Sequence, residues 1–134
     1  MATRAKRELA AVPAVRFFGM VPGARSEIRA EMRMPVKEAY VQEEGLVHGG
    51  IISALADTAA VYLLLPTLRA GERLVSIEFK VNFLNPARVG DGDLAALATM
   101  VKRGKTVGVV EVAVQQGDRL IAKGLFTYLV SPGG

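Results

Sequence analysis

Asp57 is the only charged residue between His48 and Arg69, and it stands in the middle of a mostly apolar run over residues 51–65 that only Ser53 and Thr58 otherwise interrupt. Burying an unpaired carboxylate costs several kcal/mol even after relaxation, so a chain that places one there calls for a reason. Periodicity leaves two readings open. Asp57 is kept inside for chemistry, or it is a plain surface residue sharing a solvated strip with Ser53, its i−4 neighbour. Just upstream, His48-Gly49-Gly50 falls where a polar loop turns into a helix. A helix start presents unpaired backbone N–H groups at the positive end of the dipole, and glycine there lets a carbonyl come close. Such donors stabilise an oxyanion when they point at the developing charge.

The two features do not meet within one chain. Asp57 lies about 11 Å beyond Gly50 at 1.5 Å per helical residue, too far to act on a carbonyl held at its own helix start. A site that combines them needs a helix from another subunit. His48 is a lone histidine at a loop-to-helix junction, a position that suits a hydrogen-bonding support better than a catalytic base. With no cysteine and one histidine, the sequence excludes disulfides, thiolate nucleophiles and a multi-histidine zinc site. No serine stands at triad spacing from a second histidine. No metal and no cofactor is expected.

The elements that must position these groups can be read from the hydrophobic pattern. The chain has 134 residues, 51% hydrophobic and 22% charged, which suits one domain with one core. Residues 5–20 read as a short helix or arm broken at Pro13, so that residues 1–24 form an N-terminal arm. Ile28, Ala30, Met32, Met34 and Val36 alternate with charged residues as a half-buried strand. Residues 37–50 are loop. From about residue 50 to 65 comes a helix stopped by Pro66, apolar almost all the way round and therefore buried on most sides. Residues 75–83 alternate most clearly, with Val75, Ile77, Phe79, Val81 and Phe83 on one parity and Ser76, Glu78, Lys80 and Asn82 on the other. Runs at 93–102 and 106–115 join at Arg103-Gly104-Lys105, and 119–130 completes the set. The class is α+β: a five-stranded antiparallel sheet wrapped around one long buried helix.

Of the formal charge of +4, half sits in residues 1–8, so the rest of the chain is close to balanced and no basic stripe points to nucleic acid. The start lacks the apolar core of a secretion signal, and no apolar run was counted long enough to span a membrane. A cytoplasmic protein without membrane contact is expected.

The run from His48 to Asp57, HGGIISALAD, resembles the HGG-x(4)-L-x-D/E signature of the hotdog thioesterases. The branch holding the phenylacetate-pathway and 4-hydroxybenzoyl-coenzyme A thioesterases is most similar. The likeness covers residues 25–130 as one hotdog domain, and takes in the strand ending in Asn85-Pro86-Ala87 and the Lys102-Arg103-Gly104-Lys105 hairpin. It implies hydrolysis of an acyl- or aryl-coenzyme A thioester. Asp57 then corresponds to the catalytic carboxylate, as nucleophile or as base toward water. Gly49 N–H polarises the carbonyl, with Gly50 beside it. His48 supports the loop, Gln42 lies near the thioester and Ser76 orients water. Asn82, Arg88, Lys102, Arg103 and Lys105 are the further substrate contacts implied, the basic ones toward coenzyme A phosphates. Family sites lie between protomers, which agrees with the distance argument and implies a homo-oligomer, a dimer or a homotetramer. A non-catalytic acyl-coenzyme A sensor on the same fold is the competing reading.

Overall fold

The computed structural model describes residues 4–132. Helices α1 (Arg4–Ala11) and α2 (Pro13–Phe17) precede strands β1 (Val21–Arg25) and β2 (Arg29–Met34). After two single-turn helices comes α3 (Gly49–Leu64), then β3 (Arg73–Phe83), β4 (Leu94–Arg103), β5 (Val107–Gln116) and β6 (Arg119–Ser131). The strands form one antiparallel sheet in the order β1-β2-β4-β5-β6-β3. It carries six strands, not five. The extra one comes from residues 21–25, which Pro22 and Gly23 disguise as loop. Both are tolerated because β1 is an edge strand, irregular between Pro22 and Arg25.

The sheet lays its inner face on α3. Met32, Met34, Leu94, Ala96, Val110, Val112, Val114, Phe126 and Val130 are buried from the sheet side, and Leu55, Ala59, Leu63 and Leu64 from the helix side. By length and composition the stretch Gly49–Thr67, 19 residues with mean hydropathy 1.5, is apolar enough to cross a bilayer. That corrects the count made from sequence. In this fold its apolarity serves the core.

Strand β3 closes one edge of the sheet and pairs only with β6. Its register slips between Ser76 and Glu78, a bulge at Ile77. Strict alternation puts Ser76 on the same face as Glu78, Lys80 and Asn82. The bulge reverses the parity, so that Ser76 sits opposite the buried Tyr128 on the helix side, while Asn82 sits opposite the exposed Lys123 on the far side.

Gly124 is the glycine that lets β3 lie against β6. A Cβ built there would come 2.2 Å from the Lys80 carbonyl oxygen, a backbone atom of the facing strand. Gly124→Ala should therefore destabilise the protein by about 1–3 kcal/mol, as overpacking does, because relief requires β3 to move. Chemical denaturation of both chains measures this; an unchanged midpoint would contradict the packing.

Candidate active site

The loop before α3 is tied down at several points. The His48 N–H donates to Tyr40 O at 2.9 Å, the Val47 N–H to Ala87 O at 2.9 Å, and the Tyr40 hydroxyl to Phe18 O at 2.6 Å. His48 is the N-cap of α3, and its Nδ1 accepts the Gly50 N–H at 2.9 Å. An imidazole accepting at Nδ1 carries its proton at Nε2, so His48 shapes the turn as expected of a support. The Ile51 and Ile52 N–H groups both donate to His48 O. That accounting leaves the Gly49 N–H as the first-turn donor without a partner among the described residues. The Phe83 ring packs on Gly49, where a Cβ would lie 3.2 Å from its Cζ.

Gly49, Gln42, Phe83, Asn85 and Ala87 line one cleft of about 400 Å³. The Asn85-Pro86-Ala87-Arg88 turn beside it is held by Asn85 Nδ2 donating to Leu120 O at 2.8 Å and by Gln116. Gln116, buried at the end of β5, accepts the Arg88 N–H at 3.0 Å and donates to Arg88 O at 2.8 Å and Gly92 O at 2.9 Å. Its role was not visible in the sequence, where it reads as one more polar residue at a turn.

Asp57 lies in a different cleft, also about 400 Å³, with Val61, Leu65, Leu68, Glu72, Arg73, Leu74, Ser76 and Tyr128. It is half-buried and does not share a solvated strip with Ser53, which is buried and donates to Gly49 O at 3.0 Å. The Tyr128 hydroxyl donates to Asp57 Oδ1 and lies 3.2 Å from the Asp57 carbonyl oxygen. Burial, and then the Asp57 charge and hydrogen bond, push the Tyr128 phenol far above its ordinary value of 10.0.

The structure thus brings Asp57 and Ser76 together, and Gln42, His48, Gly49 and Gly50 together with Arg88 near them. It keeps the two groups in separate clefts. Lys105 lines a third cleft with Arg69, Glu72 and Arg103. The Arg103 side chain is committed to the fold: Nε donates to Thr67 Oγ1 at 2.7 Å, one terminal nitrogen to Thr67 O at 3.2 Å and the other to Gly104 O. Lys102, opposite Val109, joins Asn82 on the sheet face away from α3.

With this geometry in hand, comparison with known proteins decides the family. Residues 44–123 match the thioesterase superfamily. The chain belongs to it. Human acyl-coenzyme A thioesterase 13 is 31% identical over 110 residues, 81% of this chain and 76% of that protein. A Halobacterium salinarum protein carrying an esterase name is 39% identical over 73% of this chain and 66% of its own length. Among solved structures, a thioesterase family protein from Silicibacter pomeroyi superposes with a TM-score of 0.88 at 30% identity, covering 96% of each chain. A phenylacetic acid degradation-related protein from Ralstonia eutropha gives 0.86 at 28%, over 96% of this chain and all of the other. The fold is the hotdog fold of these thioesterases, and the enzyme class is thioester hydrolase.

The raised Tyr128 phenol has a consequence for stability. The unfolded chain releases that proton near 10.0, whereas the folded chain retains it. Its contribution is complete below that pH and is lost as the pH rises beyond it, because the unfolded state then binds fewer protons. Thermal melts from neutral to alkaline pH should fall more steeply for the wild type than for Tyr128→Phe; parallel curves would contradict the assignment.

Proposed function

We propose that the protein hydrolyses an acyl- or aryl-coenzyme A at a site shared by two copies, with Asp57 from one and the Gly49 amide from the other. The observation that carries this reading is the pairing of a half-buried carboxylate with a free helix-start N–H, on one helix and in separate clefts. In this reading the thioester carbonyl accepts from Gly49 N–H. Asp57 takes a proton from a water held beside Ser76. The water oxygen attacks the carbonyl carbon, the carbon–sulfur bond breaks, and the thiolate leaves to be protonated. A thioester is already activated, so one carboxylate and one oxyanion donor suffice. Gln42 borders the thioester, and His48 holds the glycine turn.

What remains uncovered in a single chain supports a second copy. The side of α3 bearing Ala54, Asp57, Val61 and Leu65 is only half-buried. Phe79 and Phe83, on the helix side of β3, stay 49% and 53% exposed. The outer edge of β3 has no neighbour in the sheet, so pairing with the same strand of a second copy would extend it and cover these apolar residues. The acyl group lies along Val61, Leu65, Leu68 and Leu74. Coenzyme A phosphates fall to Lys105 and the neighbouring Arg69, with Arg88 at the turn; Lys102, Arg103 and Asn82 contribute less in this arrangement.

Two substitutions test the reading on a panel of acyl-coenzyme A substrates by thiol release. Asp57→Asn should lower kcat roughly 10²- to 10⁴-fold, the range of a lost general base. Gly49→Pro removes the N–H at a first-turn position where proline fits, after a residue already at ψ 131°, and its added ring asks the Phe83 side chain to give by a few tenths of an ångström. It should lower kcat roughly 10²- to 10³-fold while the protein stays folded. Tight binding of substrate without turnover by the wild type would favour the sensor instead. Light scattering should find at least a dimer; an active monomer would end the shared-site reading.

A further inference from the structure

We propose that Tyr128 is a positioning residue for Asp57, its phenol fixing which carboxylate oxygen faces the substrate; this rests on the reading of Asp57 as the catalytic group. A carboxylate on a helix turns easily about its last torsion, whose energy profile is broad and two-fold. The Tyr128 hydroxyl restrains that torsion. It donates to Oδ1 and also lies 3.2 Å from the carbonyl oxygen of the same residue, so one phenol engages both the side chain and the backbone of Asp57. Asp57 Oδ2 has no partner among the described residues and is the oxygen left for a water or a carbonyl carbon.

The phenol is itself held rigidly. Tyr128 is 1% exposed and lies on β6, between the edge strand β3 and β5. Its cross-strand neighbours are small: Ser76 on β3 and Gly108 on β5. A Cβ on Gly108 would meet Leu64 Cδ2 at 3.0 Å, so the glycine makes room for the last turn of α3 beside the tyrosine. A large ring between two small residues, under a helix, has little freedom to follow the carboxylate. Tyr128 forms part of the cleft wall but is almost wholly buried with its hydroxyl on Asp57, so it acts through Asp57 and not on the reacting atoms.

This arrangement differs from a merely packed tyrosine in what it makes sensitive. Loss of the hydroxyl keeps the ring and the core but frees the carboxylate. Tyr128→Phe should therefore lower kcat roughly 10- to 100-fold, the scale of a misplaced catalytic group, with KM changed less than about twofold. Replacement of Tyr128 by 3-fluorotyrosine, which keeps shape and hydroxyl, should restore most of kcat. A second readout needs no turnover. With 3-fluorotyrosine at position 128, fluorine NMR reads the surroundings of that phenol alone. That resonance should shift in Asp57→Asn, where the facing charge is gone.

The outcomes separate the two claims. If Asp57→Asn turns over normally, the catalytic reading of Asp57 fails and the inference with it. If Asp57→Asn is inactive but Tyr128→Phe keeps the wild-type kcat, only the positioning role is overturned. An unmoved fluorine resonance in Asp57→Asn would also overturn it, whether or not Tyr128→Phe folds.

Discussion

An α-helix is a rigid ruler, and the two groups proposed for the chemistry lie on one. Gly49 opens α3 and Asp57 follows eight residues later, so the two are about 12 Å apart along the axis whatever the rest of the chain does. No loop movement brings them to the same carbonyl. Either they serve different purposes, or a second helix running the other way presents its glycine turn to the first one's carboxylate. The exposed edge of β3 and the half-covered stripe of α3 supply the surface such an arrangement needs.

The sheet answers to the same helix. Its six strands bury an apolar rod on one side, and where β3 overhangs, the apolar side chains lack a cover within the chain. The bulge at Ile77 belongs to this edge. It gives up one ladder position, and in exchange Ser76 and Tyr128 face the same cleft as Asp57. A regular strand would carry the serine to the opposite face. The local irregularity is thus what brings the serine into the polar part of that cleft's lining.

Much of this was legible in the sequence. The buried helix, its stop near Pro66, the Arg103-Gly104-Lys105 turn, the alternation of β2 and the runs of β3, β4, β5 and β6 follow from residue patterns that local physics enforces. Asp57 was conspicuous because nothing else charged shares its helix. The missing sixth strand failed for a reason equally local: Pro22 and Gly23 read as breakers, and only the sheet edge makes them admissible. The bulge was hidden because Ser76 sits in a perfect alternation. Contacts across long separations were out of reach altogether. Tyr128 meets Asp57 across 71 residues, and Gln116 clamps Arg88 across 28. Arg103, implied by the resemblance as a coenzyme A contact, ties its hairpin to the end of the central helix, a link no local pattern shows.

The shared site is tested most directly by mixing two inactive chains, one carrying Asp57→Asn and the other Gly49→Pro, after dissociation and reassociation. If Asp57 and Gly49 of one site come from different copies, each mixed dimer holds one wholly native site and one doubly damaged site. Random pairing then predicts recovery of about a quarter of the wild-type activity, since half the dimers carry one good site of two. Activity no higher than that of the separate variants, with mixed dimers shown to form, would place both groups in one chain's site and contradict the account.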